Sequence, residues 1–240
     1  MKVIVTENYK EMSKEAAKIV ADTISKKLNT VLGLATGSTP EGMYSELRHI
    51  YDNGEISFRA VTSVNLDEYY PISKDNTQSY RYFMNKHLFD KVDINKDNTY
   101  VPDGEAENAD IECERYEKLI KSFGGIDLQI LGIGRNGHIG FNEPNGELIP
   151  VTHLTGLTES TIEANSKYFE SIEEMPKSAL TMGIGTILGA KKIVILASGK
   201  EKHEAIVKML RGLVTTMWPA TMLNLHNDVT LICDKEAYNG

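Results

Sequence analysis

Along the chain, short runs in which Val, Ile and Leu stand side by side alternate with longer stretches whose apolar residues recur at spacings of three and four. The runs are Val3 to Val5, Val31 to Ala35, Val61 to Leu66, Ile126 to Leu131, Ile193 to Ala197 and Val229 to Cys233. Runs this short, without polar alternation, fit strands covered on both faces. The spaced stretches carry Met12, Ala16, Ile19 and Val20, then Met43, Tyr44, Leu47 and Ile50, and near the end Ala205, Ile206, Met209, Leu210 and Leu213. Each draws one apolar stripe along a helix. Strands alternating with helices require right-handed crossovers, so the predicted fold class is α/β, a single doubly wound, mostly parallel sheet with helices on both faces. Such folds bind ligands where strands end, which directs attention to the residues after each run. Residues 141 to 178 show neither pattern, and an irregular segment of that length in a compact domain reads as a functional lid.

Length and composition narrow this picture without changing it. At 240 residues the chain can bury one substantial core, so one domain over residues 1–240 is expected. With 41% hydrophobic and 25% charged residues it has the make-up of a globular protein. No apolar run is long enough to span a bilayer and Met1-Lys2-Val3-Ile4 opens no signal peptide, which predicts a cytoplasmic protein. Cys113 and Cys233 stand far apart without a metal-binding spacing, so neither a disulfide framework nor a zinc site is expected and both read as buried, inert thiols. The net charge of −8 argues against nucleic acid or an anionic membrane as partner. Any anion must be held by a few local donors.

Three post-strand stretches carry candidate chemistry. In LGLATGSTPEG a strand runs into Gly37-Ser38-Thr39, with Ser38 or Thr39 able to cap a helix and Pro40 suited to its first turn. A helix start presents free N–H groups and hydroxyls that suit phosphate, although a capped helix without a ligand has the same look. No Gly-Lys-Ser/Thr follows, so a nucleoside triphosphate is not implied. In NLDEYYP, Asp67 and Glu68 come directly after a strand, where a carboxylate is either a general base or a turn acid. In LGIGRNGHIGFNEP, Gly132, Gly134 and Gly137 spell the start of a dinucleotide fingerprint. That fingerprint needs a helix opening at the glycines and a second strand with an acid about 20 residues onward. Gly140 and Pro144 make a long helix improbable and no strand is expected near residue 157, so the motif reads instead as a turn presenting Asn136, His138 and Glu143. A histidine beside a carboxylate can move protons near neutral pH. A metal site is not expected, because His138 and Glu143 lack a third ligand in a recognised spacing.

These stretches, together with Asn76 to Ser79, ANSKYF and ALTMGIGTIL, resemble the glucosamine-6-phosphate deaminase family in its short, Bacillus-like form, over nearly the full chain. Phe-Asn-Glu-Pro after Gly-His separates that resemblance from the related 6-phosphogluconolactonases. The resemblance implies a Rossmann-like fold with a mobile lid at about 145–178. It implies conversion of D-glucosamine 6-phosphate and water to D-fructose 6-phosphate and ammonia, in amino-sugar catabolism and without a cofactor. His138 matches the acid–base group that opens the sugar ring, with Asn136 and Glu143 assisting. Asp67 matches the base that takes the C2 proton and returns one at C1. Gly37, Ser38 and Thr39 match the phosphate turn, with Lys167 and Lys202 as the basic positions that close on it. The implied partner is a small phosphosugar, with the chain a monomer or a homo-oligomer.

Two positions depart from the wider family. Asn136 stands where many members carry aspartate, which leaves His138 one carboxylate partner, Glu143; a neutral amide can orient the ring but supplies less charge stabilisation. Residues Gly146 to Thr155 lack the basic pair through which hexameric members respond to N-acetylglucosamine 6-phosphate, so little or no such activation is expected. The competing readings are a lactonase-like phosphosugar hydrolase, which leaves Asp67 without a carbon proton to remove, and a sugar-phosphate-binding regulator, which has no use for an intact acid–base set.

Overall fold

The computed structural model describes residues 1–158, 162, 169 and 174–240. Strands β1 (Lys2–Thr6), β2 (Val31–Leu34), β3 (Thr62–Asn65), β5 (Thr99–Tyr100), β6 (Leu128–Gly132), β9 (Ile193–Ala197) and β10 (Val229–Asp234) form one sheet in the order β1-β10-β9-β6-β2-β3-β5. Every pairing in it is parallel. All six apolar runs became strands of this sheet. The first is not covered on both faces as expected: β1 pairs only with β10, and at this edge Val3 and Val5 remain 38% and 42% exposed.

Among the described residues the α-helices are α1 (Tyr9–Lys26), α2 (Ser38–Asp52), α3 (Tyr80–Met84, continued by a π turn over Asn85–Phe89), α4 (Ala109–Ser122), α5 (Ile184–Leu188), α6 (His203–Leu210) and α7 (Lys235–Asn239). Alternation along the strands splits the core. Leu32, Leu34, Leu128 and Ile130 meet Met12, Ala16 and Val20 of α1 and Met43, Tyr44 and Leu47 of α2. On the opposite face Val31, Val64, Leu131, Ile193 and Ile195 meet Tyr116 and Ile120 of α4 and Ile206 and Met209 of α6. Each such fully covered aliphatic side chain contributes roughly 1.5–3 kcal/mol. Helix α6 ends before Leu213, because Gly212 turns the chain at φ +73°, and Leu213 is 71% exposed rather than part of the stripe.

A second, antiparallel sheet in the order β4-β8-β7 is built from β4 (Asp67–Tyr70), β8 (Ser178–Thr181) and β7 (His153–Gly156). It corrects the reading of residues 141 to 178 as wholly irregular and of the region near 157 as strand-free. His153-Leu154-Thr155-Gly156 has no apolar run to announce it; it is a strand because β8 pairs with it. Ahead of it, Thr152 is fastened by its N–H and hydroxyl to Glu117 at 2.8 and 2.7 Å. Most of residues 159–173 in the expected lid lie outside the described residues, as does Lys167.

Chain order and strand order together create the crevice. From β2 the chain proceeds to β3 on one side, while from β6 it proceeds to β9 on the other. The loops leaving the carboxyl ends of β2 and β6 therefore part in opposite directions, which leaves space between them.

Candidate active site

At the end of β2, Gly37 takes φ +86°, open to glycine and strained for other residues, and starts α2 without any side-chain cap. Ser38 and Thr39 are thus the first helical residues and not the capping residues that their type suggested. The first-turn N–H groups and both hydroxyls are left for a ligand rather than consumed by a cap. Tyr9 braces this turn, donating to the Ser38 carbonyl and accepting from Gly42 N–H, each at 2.8 Å. Across the crevice, a Cβ built on Gly132 would lie 3.9 Å from Thr39.

At Leu66 the chain leaves the parallel sheet for the small one, and strand alternation sends Asp67 and Glu68 to opposite faces. Glu68 accepts from the backbone N–H of Tyr69, Tyr80 and Arg81 at 2.9, 2.8 and 2.9 Å. It anchors the start of α3. Burial pushes its carboxyl up to about 7 despite those three donors and the Arg81 charge. Asp67 faces the crevice, and burial, reinforced by the Glu68 charge, pushes it up to about 8. No cation among the described residues offsets this. Over it stand aromatic rings, with Tyr69 and Tyr80 centred 4.9 Å apart and Tyr80 stacked near-parallel on Phe141 at 6.2 Å. Such a wall keeps water from the carboxylate, the condition that raises its proton affinity.

The glycine motif after β6 opens no helix. Gly137 N–H donates to Gly134 C=O at 3.0 Å, closing a tight turn with Arg135 and Asn136 at its corners. The glycines are fixed by what lies against them. A Cβ on Gly134 would sit 2.3 Å from the His138 ring, and one on Gly140 would meet Thr181 Oγ1 at 2.9 Å and Asp67 Oδ2 at 3.5 Å. Gly134 thus seats the imidazole, and Gly140 lets the turn approach Asp67. Asn142, buried, donates to the carbonyls of Ile139 and Met182, both at 2.8 Å, and ties the turn to the end of β8.

His138 Nδ1 lies 3.1 Å from Glu143 Oε1, close enough for an ion pair but not aligned as a hydrogen bond. The other Glu143 oxygen accepts from Asn136 Nδ2 at 2.7 Å, and Asn136 Oδ1 accepts from His138 N–H at 3.2 Å. Asn136 therefore holds both the carboxylate and the start of the histidine. With Nδ1 turned to Glu143, Nε2 is the ring nitrogen left for the crevice.

The crevice encloses about 660 Å³ and is lined by Gly37, Ser38, Thr39, Asp67, Asn136 and His138, with Lys202 also at its wall. Glu143 stands behind the lining and acts on it through His138 and Asn136. Lys202 arrives on the turn after β9, where Gly199 at φ +91° gives its N–H to Asp234 at 3.2 Å. Burial lowers the proton affinity of Lys202, Glu201 raises it and Arg135 lowers it further. The structure thus brings together eight of the nine residues expected from sequence, and the ninth, Lys167, lies outside the described residues. Sequence reasoning did not pick out the aromatic wall or Arg135. The only advance signal for Arg135 was a cation at the corner of a glycine turn.

The family profile described as Glucosamine-6-phosphate isomerases/6-phosphogluconolactonase matches residues 6–232. A curated glucosamine-6-phosphate deaminase of Clostridium perfringens (strain 13 / Type A) is 56% identical over 237 residues, spanning 99% of this chain and 98% of the relative. The chain belongs to the glucosamine-6-phosphate deaminase family. The family member of Bacillus velezensis is 49% identical over 240 residues, covering 100% of both chains. Among solved structures, a monomeric glucosamine-6-phosphate deaminase superposes with a TM-score of 0.97 at 48% identity, covering 100% of this chain and 99% of that one. A 6-phosphogluconolactonase from Trypanosoma cruzi superposes with a TM-score of 0.78 at 22% identity, covering 100% and 96%, a likeness of fold alone. Deaminase-family membership accords with the Phe141-Asn142-Glu143-Pro144 sequence, whose Asn142 and Glu143 are both engaged in shaping the site.

Proposed function

We propose that the chain converts D-glucosamine 6-phosphate and water to D-fructose 6-phosphate and ammonium, with its residues in the following roles. The phosphate rests on Gly37, Ser38 and Thr39 at the start of α2, and Lys202 and Lys167 supply positive charge. His138 Nε2 takes the proton from O1 of the pyranose and delivers it to the ring oxygen, opening the ring. Glu143 stabilises the transient imidazolium, while Asn136 keeps that carboxylate in place. Asp67 then removes the C2 proton, giving an enolamine, and returns the proton to C1. The resulting C2 imine takes up water and releases ammonia. Both sheets contribute to this one crevice, so the reading treats residues 1–240 as one functional unit.

The observation that carries this reading is the position of Asp67, buried under an aromatic wall, pushed up to about 8 and 3.5 Å from where a Cβ on Gly140, beside the histidine turn, would sit. A carboxyl with that proton affinity can act as a base and still hold the proton long enough to return it one carbon away. A lactonase needs activated water but has no carbon proton for such a group. Purified protein should release ammonia from glucosamine 6-phosphate in step with fructose 6-phosphate. Asp67→Asn should lower that release by about 10³-fold or more, and with it the exchange of the C2 hydrogen with deuterated solvent. Absence of ammonia release from the unaltered chain overturns the activity; C2 exchange that persists undiminished in the variant overturns the role of Asp67. N-acetylglucosamine 6-phosphate should leave the rate curve unshifted, and an activation would refute the reading of residues Gly146 to Thr155.

A further inference from the structure

Arg135 has no place in the chemistry just described, yet it projects from the same turn that carries the acid–base group. The turn closed by Gly134 and Gly137 has only two corner positions. One of them, Asn136, folds back on Glu143 at 2.7 Å. The other, Arg135, is exposed and lines the crevice in company with Lys202, Ser38 and Thr39. Among the described residues Arg135 makes no ion pair with any carboxylate. Lys202 likewise makes none, although the charge of Glu201 acts on it. Two cations are thus held against one opening beside an uncapped helix start, an arrangement that costs free energy until an anion enters between them.

We propose that Arg135 is a further phosphate-binding residue, closing on the substrate phosphate from the β6 side while Ser38 and Thr39 hold it from the β2 side and Lys202 from the β9 side. The proposal deepens the deaminase reading and rests on it for the identity of the phosphate ester. The weakening of Lys202's hold on its own proton by the Arg135 charge accords with two cations sharing one cleft. A guanidinium offers paired N–H donors that match two phosphate oxygens, whereas an ammonium serves as a point charge. Arg135 would therefore set the orientation of the phosphate and Lys202 mainly its charge balance. Because Arg135 and Asn136 are adjacent corners of one turn, phosphate seated on the first fixes the position of the turn that holds His138.

Arg135→Gln and Arg135→Lys test this, with inorganic phosphate as the probe. In Arg135→Gln the KM for glucosamine 6-phosphate should rise about 10- to 30-fold with a much smaller change in kcat, and the affinity for inorganic phosphate by calorimetric titration should fall by a similar factor. Weak inhibition by unphosphorylated glucosamine should not change, a split that a merely structural role would not produce. Arg135→Lys should recover part of the loss. Unchanged KM and phosphate affinity, or a loss confined to kcat, overturns the proposal. Thermal unfolding at an unaltered midpoint shows that the variants are folded, since Arg135 is exposed and packs no core. Phosphate titration requires no turnover, so the two readings fail separately. Weakened phosphate binding in a chain without deaminase activity sinks only the activity, and equal phosphate binding in a chain with it sinks only Arg135.

Discussion

Two aspartates stand at opposite ends of the parallel sheet, and the fold treats them in opposite ways. Asp67, at the carboxyl end, is buried with no cation among the described residues to offset it and is pushed up to about 8. Asp127 precedes β6 at the amino end, where burial would also raise its proton affinity. There it accepts from Lys191 at 2.7 Å, from Lys27 at 2.5 Å and from Val31 N–H at 2.8 Å, and these bonds hold it down at about 2. The difference lies both in depth, Asp67 being buried and Asp127 only partly so, and in what faces each group. Loops at the amino end bring lysines to a carboxylate that joins three segments, and the result is a clamp. At the carboxyl end the same residue type has no counter-ion among the described residues, and the result is a carboxyl held well above its usual range.

The strongest way to break this comparison is Asp67→Asn. Deamination should fall by about 10³-fold or more, given the usual contribution of a positioned general base. Its effect on stability should have the opposite sign. Between about 4 and 8 the native state keeps a proton on Asp67 that the unfolded chain has lost. The advantage of the protonated native form is complete below about 4 and is gone as pH rises through 8, so the unaltered chain loses stability across that window. Urea unfolding at pH 8.5 should find Asp67→Asn more stable on the order of 3 kcal/mol, with no such gain at pH 4. A variant that is less stable at both pH values would show that Asp67 is not held at a cost. For the unaltered chain, kcat/KM should climb on its acid limb with a midpoint near 8.

Gly134→Ala tests the histidine side of the same end. Its Cβ would fall 2.3 Å from the ring, so His138 must shift, and a shift of that size costs roughly 10²-fold in kcat. Retained kcat would mean that the ring position is not tied to the turn. Glu143→Gln keeps the shape but removes the charge behind the imidazole, and kcat should fall by roughly 10-fold with an altered pH–rate profile. The profile of Asn136→Asp, which adds a second carboxylate, should be altered as well. If neither substitution moves it, the proposed part of these neighbours in the work of His138 is wrong.

The mildest perturbation belongs to the amino end. Asp127→Asn should cost about 1–2 kcal/mol at pH 7, the lysine partners being partly open to solvent and screened, while deaminase activity per folded molecule stays constant. In the unaltered chain that contribution is present above about 4 and is lost as pH falls toward 2. A loss of activity in this variant would erase the division between a stabilising and a working end.

The carboxyl-end half of this division was legible along the chain, because the local patterns were consistent with one another, whereas no local pattern singled out Asp127. Six apolar runs marked six of the seven strands of the parallel sheet, the two-residue β5 being the exception, and the glycine, serine and acid motifs fell where such a sheet binds ligands. The small sheet was not legible: β7 has no apolar run, and only its antiparallel partner β8 makes it a strand. Nor could local pattern separate Asp67 from Glu68. One residue of alternation and the start of α3, 12 positions onward at Tyr80, gave Glu68 three backbone donors and left Asp67 to the crevice. The capping role expected of Ser38 or Thr39 passed to Gly37, whose positive φ places both hydroxyls inside the helix start.

By itself the sequence determined the doubly wound class, the residue types of the site and, through the glycines of LGIGRNGHIGFNEP, that a tight turn and not a helix follows β6. Periodicity and turn chemistry are local, and each is written within a few consecutive residues. Only the tertiary structure decided which acid faces the crevice with a raised proton affinity, that Glu143 stands behind the crevice rather than in it, and that Arg135 and Lys202 face the same opening. Those outcomes depend on which distant groups surround a charge, and electrostatic environment is a property of the packed chain.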